Sequence, residues 1–426
     1  MPRTRRNHSA GRRRGDQMPN MGIMNSADGT HGMFSRMKSG MGSAARGIGN
    51  AFKYIRVICI FFIYILLRKV MHIPDCTLVT ACFDLNKYHG GSKSKEQALR
   101  GIDILLKLPI YLVIFGNAEM MDIIEERRKS YSYENITLFV RQEYEDIWTA
   151  QFTERVRKNR EAYWPTRDAR TCPESHLVCA NKFDFVLKAM EMNPFQTSKY
   201  GWIDSNLYVN ERTNKICENY TTNKLPYLLN RVTDKFHIQI MNITDKKYKN
   251  EAMKPEYYEK YRWVVSGCLF TCGVEIGSRI LTRLKEIVVD TTLAGYGHGE
   301  EMFYLEILDE FYDDIVRSYG DYGQILNNFI HVTRNINYIY QKIAVNAYNH
   351  GYFRESFDCA KSLVYSIENQ LDEGDIDYGM YISILRLYYH SACRHNPEVT
   401  GEIVKKFHDI SEKNKSFFNA CGGYYV

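Results

Sequence analysis

The sequence predicts an α/β protein built on a parallel sheet, followed by an all-helical carboxyl-terminal extension. The sheet is predicted by short apolar runs, Thr77–Phe83, Ile110–Phe115 and Ile136–Val140, separated by helical patterns at βαβ spacing. A further run, Tyr200–Ile203, follows a helical stretch and ends on Asp204. The extension is predicted by a change of texture after Asn337. There Ala344, Ala347, Gly351, Tyr352, Phe357 and Ala360 give the small/large alternation of an αα-hairpin. Further helices are expected from Met380 to Cys393 and from Val399 to Lys413, a tetratricopeptide-like pairing too short for a full solenoid.

At 426 residues, with 45% hydrophobic and 25% charged residues, the composition is that of a globular chain with room for one large domain and an addition. The formal charge of +6 is unevenly placed. Residues 1–56 hold eleven Lys/Arg against two acids, a balance of +9, so the rest of the chain carries −3. A nucleic-acid-binding domain would show its basic stripe within the fold, so that class is excluded for the folded part. Eleven cysteines form no paired zinc spacing, and buried free thiols are expected.

In chain order, residues 1–50 are Arg-, Gly- and Met-rich and are expected to be a disordered basic tail. Residues 51–72 carry an apolar run, Val57–Leu67, flanked by Lys53, Arg56, Arg68 and Lys69. It is shorter than the roughly 20 residues of a spanning helix. Two readings stand: a membrane anchor, spanning or interfacial, or a buried terminal helix in a soluble protein. An anchor would leave the basic tail cytoplasmic. Residues 73–335 form the expected sheet domain and 336–426 the helical extension.

Within the sheet domain, Asn181–Met192 reads as a helix with Phe183, Val186, Leu187 and Met190 on one face. Asn193-Pro194 stops it, and the chain then enters Tyr200-Gly-Trp-Ile-Asp204-Ser-Asn206. Two oxygen-bearing side chains at i and i+2 beyond a strand suit one hard cation, whereas the competing reading is an Asp turn. His237–Met241 and Val264-Val265 are expected strands, Gly267–Gly273 a glycine-bounded loop, and Glu275–Val289 a helix. Glu300 and Glu301 open another helix, where acids are also favoured by the dipole.

These pieces resemble the HtrL/YibB glycosyltransferase family. The resemblance is carried by Leu78–Ala81, Pro109–Phe115, Asn193–Phe195 leading into Trp202–Asp204, Gly267–Gly273, Glu300-Glu301 and Gly320–Tyr322, in that order. It implies a GT-A-like, Rossmann-type mixed sheet flanked by helices, a nucleoside-diphosphate-sugar donor, and Mn²⁺ or Mg²⁺. Thr80, Ala81, Asp84, Trp202 and Asp204 would then contact the nucleotide-sugar, with Asp84 equally able to cap a turn. Glu300 and Glu301 would be candidates for the base that takes the acceptor's proton. Gly267 and Gly273 would floor the acceptor site, and Asp321 would contact the sugar or end a helix. Asp204, Asn206 and His331 would hold the metal, although Asn206 stands where such enzymes commonly carry a second Asp. The acceptor would be a glycan, lipid or protein. A different class fits the same residues: an inactive transferase-like interaction protein that binds through its helical end.

Overall fold

The computed structural model describes residues 73–88, 94–169, 171–206, 224–297, 299–320, 337–370 and 376–413. The basic tail, the apolar run at 57–67, Asp321 and His331 lie outside them. Among the described residues no helix is long and apolar enough to cross a membrane.

The elements follow in the order β1 Thr77–Ala81, α1 Lys95–Leu106, β2 Tyr111–Gly116, α2 Ala118–Ser130 and β3 Thr137–Arg141. Then come α3 Thr153–Ala162, α4 Pro173–Ala180, α5 Lys182–Met192, β4 Lys199–Ile203 and α6 Lys224–Leu229. The sheet is completed by β5 Phe236–Ile240, α7 Lys254–Glu259, β6 Val265–Gly273, α8 Val274–Leu293, α9 Glu300–Glu310 and β7 Ile315–Tyr319. Four helices end the described chain: α10 Asn337–Asn349, α11 Phe353–Gln370, α12 Tyr378–His395 and α13 Thr400–Lys413.

The seven strands form one mixed sheet in the order β3-β2-β1-β4-β6-β5-β7. β6 alone runs antiparallel to its neighbours β4 and β5, whereas β1–β2, β2–β3, β1–β4 and β5–β7 pair in parallel. β1 reads buried at every position because helices cover both faces, as parallel strands require. On one face Leu78, Leu112, Ile114 and Ile203 pack beneath α1 and α2. On the other, Val79, Val113, Phe115 and Trp202 join side chains of α5, α8 and α9.

Local chemistry sets the boundaries. Ser94 and Gln97 close a capping box on α1. Asn193 ends α5 in the left-handed region at φ 38°, and its side chain accepts a 2.7 Å hydrogen bond from Tyr200. This is the expected stop between helix and site strand. Gly201 has a steric reason within β4, since a Cβ there would lie 2.5 Å from the Phe270 carbonyl oxygen.

Two features depart from the sequence reading. Gly267–Gly273 is not a loop but most of the nine-residue β6, hydrogen-bonded on both sides. β7, unexpected from the sequence, pairs with β5. The irregular stretch expected around Pro165–Pro173 is present: residues 163–169 and 171–172 hold no helix or strand, and Pro173 then opens α4, where its missing N–H costs nothing.

The helices α10 to α13 pack each on the next. They are part of the unit His72–Val426, whose core cluster runs from the sheet through Tyr340, Phe357 and Leu363. β7 and α11 are also joined by polar contacts, among them Tyr319 donating to Glu355 at 3.0 Å and Tyr312 to Asp358 at 2.8 Å.

Candidate functional site

Parallel strands deliver their carboxyl ends to one edge of the sheet, where loops and helix N-termini leave backbone groups for a ligand. Here the edge gathers the end of β4, the beginning of the antiparallel β6 and the first turns of α5 and α9. The nitrogen of Lys182, the first residue of α5, sits at the centre. Its ammonium donates to the Gly267 carbonyl at 3.0 Å and to Glu300 Oε1 at 3.3 Å, and lies 3.7 Å from Asp204 Oδ1. The Lys182 side chain is wholly buried, while Glu300 and Asp204 keep 16% and 31% of their side chains exposed. A ligand can therefore reach the two carboxylates but not the ammonium beneath them.

A cation at a helix N-terminus faces the positive end of the dipole, and burial adds to the cost. Burial drives the lysine's pKa down, but Asp204 first and Glu300 second outweigh it and hold the ammonium well above its ordinary range. Lys182 is therefore charged at every physiological pH.

Asp204 is fixed from a second side. Its Oδ1 accepts from Trp202 Nε1 at 2.5 Å, and its own N–H donates to the Cys268 carbonyl at 2.9 Å. Gly267 permits the crowding: a Cβ there would lie 3.4 Å from both Lys182 Nζ and Glu301 Cγ.

Glu301 differs from its neighbour. It is buried and accepts a hydrogen bond from Tyr261. Burial, reinforced by the Glu300 charge, pushes its carboxyl up to about 8 against the pull of Lys182 and Tyr261. At neutral pH the pair thus consists of an ion-paired Glu300 and a protonated Glu301. Tyr304, one turn further along α9, is buried with its hydroxyl unpaired among the described residues, and burial raises its pKa strongly.

The Glu301 shift carries a stability consequence with a definite sign. From about pH 4.5 to about pH 8 the folded chain holds a proton that the unfolded chain has released. Stability is therefore lost as pH rises through that window, by up to ~1.4 kcal/mol per pH unit. Glu301→Gln keeps the acceptor for Tyr261 and removes the titration. Thermal unfolding measured from pH 6 to pH 9 should show the melting temperature of the wild type falling more steeply than that of the variant. Equal slopes would refute the assignment.

The other expected site residues divide. Trp202 is 4% exposed, stacked on Phe185 with centroids 6.2 Å apart, and it orients Asp204 instead of offering a ring to a ligand. Asn206 does not turn with Asp204. Its Oδ1 lies against α1, 2.2 Å from where a Cβ on Gly101 would stand. The i, i+2 pair therefore parts to opposite faces of the sheet. Thr80 and Ala81 end β1 and are buried, with Thr80 on the α1/α2 face between Leu78 and Cys82. Asp84 caps its own turn, accepting from the Asn86 N–H at 3.0 Å. Gly273 sits at the opposite edge. It pairs with Lys199 whereas Leu269 pairs with Ile203, and six strand residues put it ~20 Å from Gly267. Only Gly267 of the two belongs to the site.

No family model matches the chain. Its likeness to HtrL/YibB therefore remains one of motifs. No curated protein matches it either. Among solved structures it is similar to the apo form of mouse xyloside xylosyltransferase 1, with a TM-score of 0.30 and 9% identity, over 60% of this chain and 94% of that one. At that level the likeness carries no argument, and the functional reading rests on the geometry.

Lys182, Tyr261 and Tyr304 were missed from the sequence. The one available signal was a lysine directly after Asn181, opening a helix whose next residues are apolar. A cation at that end of a buried helix calls for carboxylate partners.

Proposed function

We propose that the chain is a glycosyltransferase that moves a sugar from a nucleoside-diphosphate-sugar donor to an acceptor hydroxyl of a glycan, lipid or protein. The observation that carries this reading is the pair of reachable carboxylates, Asp204 and Glu300, held by one buried ammonium at the carboxyl edge of a mixed α/β sheet. The motif resemblance points the same way.

Sugar transfer breaks the bond between the anomeric carbon and the diphosphate oxygen and forms one to the acceptor oxygen. The bonding electrons leave with the nucleoside diphosphate, and the acceptor's proton needs a base. Glu300 is that base, since Glu301 beside it already holds a proton at neutral pH. Asp204 binds a hydroxyl of the donor. Tyr261 and Glu301 wall the site from behind.

The divalent ion expected from the resemblance does not fit the described residues of the site, His331 lying outside them. Three hard oxygen donors, from Asp204, Glu300 and Gly267, surround the Lys182 nitrogen, and Asn206 points to α1. No step is assigned to a metal.

The test is release of nucleoside diphosphate from a panel of UDP- and GDP-sugars by the full chain. One donor class should be turned over, and Asp204→Ala and Glu300→Gln should each slow it ~100-fold or more in chains whose unfolding transition shows them folded at the assay temperature. A folded wild-type chain that cleaves no donor would contradict the proposal. A second reading, a partner-binding protein using tetratricopeptide-like hairpins, draws support from Tyr338, Val345 and Tyr365, exposed on α10 and α11. It requires partner binding that survives Asp204→Ala.

A further inference from the structure

The centre around Lys182 has the architecture of a cation site whose cation is part of the chain. Gly267 O, Glu300 Oε1 and Asp204 Oδ1 come from β6, α9 and the end of β4, and all lie within 3.7 Å of one nitrogen. These are a carbonyl and two carboxylates, the donors that hard divalent ions take. The nitrogen is fully buried and sits over the Trp202 ring at 5.5 Å from its centroid. A divalent ion entering the same cradle would face a fixed positive charge that cannot withdraw into solvent.

We infer that the Lys182 ammonium is the resident cation of this centre and that the donor is bound without a divalent metal. The donor half of this statement rests on the transferase reading, whereas the metal half stands by itself. The lysine acts as a positioning residue. It lies below Asp204 and Glu300, neutralises one of their two charges and aims both carboxylates outward. A metal ion would add its own charge and would have to displace the ammonium first. Trp202 Nε1 reinforces the arrangement, because it occupies the Asp204 oxygen that faces the lysine.

The inference predicts what removing the lysine does. Lys182→Gln leaves two carboxylates and a carbonyl converging on a vacated position, which makes a divalent-cation site where there was none. The experiment is a titration of the full chain with Mn²⁺, free ion read by electron paramagnetic resonance, for wild type, Asp204→Asn, Lys182→Gln and Lys182→Gln/Asp204→Asn. Wild type and Asp204→Asn should give the same isotherm. Lys182→Gln should bind one Mn²⁺ more than the wild type over the same concentration range, and the double variant should lose it. Nucleoside-diphosphate affinity of the wild type should be the same in EDTA as in Mn²⁺.

A wild-type Mn²⁺ site abolished by Asp204→Asn would overturn the inference, as would nucleotide binding that needs Mn²⁺ and Asp204 together. No gain of Mn²⁺ by a folded Lys182→Gln would overturn it as well. If Lys182→Gln does not fold, Lys182→Gln/Glu300→Gln restores the charge balance, and the wild-type comparison with Asp204→Asn still decides. Should the chain bind no nucleoside diphosphate under any condition, the transferase reading fails while the Mn²⁺ isotherms continue to test the resident-cation claim.

Discussion

Replacing Arg128 by methionine is expected to lower the stability of the fold by ~3–5 kcal/mol. Arg128 is completely buried, and among the described residues it hydrogen-bonds to carbonyls and one hydroxyl, with no ion pair. Its guanidinium instead ends α1. Nη1 donates to the carbonyls of Leu106 and Leu108 at 2.6 and 2.8 Å and more weakly to Leu105 at 3.3 Å, and Nη2 donates to Ile110 at 3.0 Å. Nε donates to Thr137 Oγ1 on β3 at 2.7 Å. One side chain thus satisfies the orphan acceptors at the end of α1 and fastens the approaches to β2 and β3. Burial draws its pKa down to about 10, still well above neutral, so it stays charged. Methionine fills the volume but strands the carbonyls in an apolar core. Lysine, with three donors, cannot reproduce the fork. Denaturant unfolding of the full chain checks the figure. A loss below ~1 kcal/mol would show that water reaches those carbonyls and replaces the arginine.

Removing Glu355 is expected to cost a similar ~3–5 kcal/mol, at the junction of β7 and α11. Arg317 and Glu355 are 6% and 5% exposed and lie 3.5 Å apart. Arg317 also covers the Tyr312 ring at 3.7 Å and donates to the Tyr312 carbonyl at 2.9 Å, while Glu355 accepts from Tyr319. Glu355→Ala leaves a guanidinium buried without its counter-ion and a tyrosine hydroxyl without its acceptor. The effect should appear in a single cooperative unfolding transition, because the helical extension shares its core with the sheet. Two separate transitions, with only the second unchanged by the variant, would show that the extension unfolds independently.

Much of the framework was legible because it depends on local pattern. β1, β2 and β3 announce themselves as apolar runs between helices, and Asn193-Pro194 marks the helix end before the strand that carries Asp204. Glu300 and Glu301 were placed correctly at a helix start. What escaped depends on pairing partners far away in sequence. β6 looks like a loop because Gly267 and Gly273 bracket it, yet Gly267 is small to admit the α9 carboxylates and Gly273 opens α8. β7 was hidden by Arg317, a residue that resembles a surface break until α11 supplies Glu355. Asn206 illustrates the limit of spacing arguments. Two residues apart on a strand share a face, but the turn at Ser205 sends Asn206 onto α1. Lys182 signals only a need for carboxylate partners, and those partners come from three other segments.

On the proposed function, the edge bearing Asp204 and Glu300 receives a nucleotide-sugar. The most direct measurement is the thermal unfolding of the full chain with each nucleoside diphosphate at saturating concentration, for wild type and Asp204→Ala. Ligand at 100 times its dissociation constant stabilises the folded state by about 2.7 kcal/mol. A raised melting temperature is expected for one nucleotide class, with a further rise for a sugar-bearing donor that Asp204→Ala abolishes. A folded chain whose melting temperature responds to none of them, or whose response to the donor is unchanged in Asp204→Ala, would contradict the proposed function.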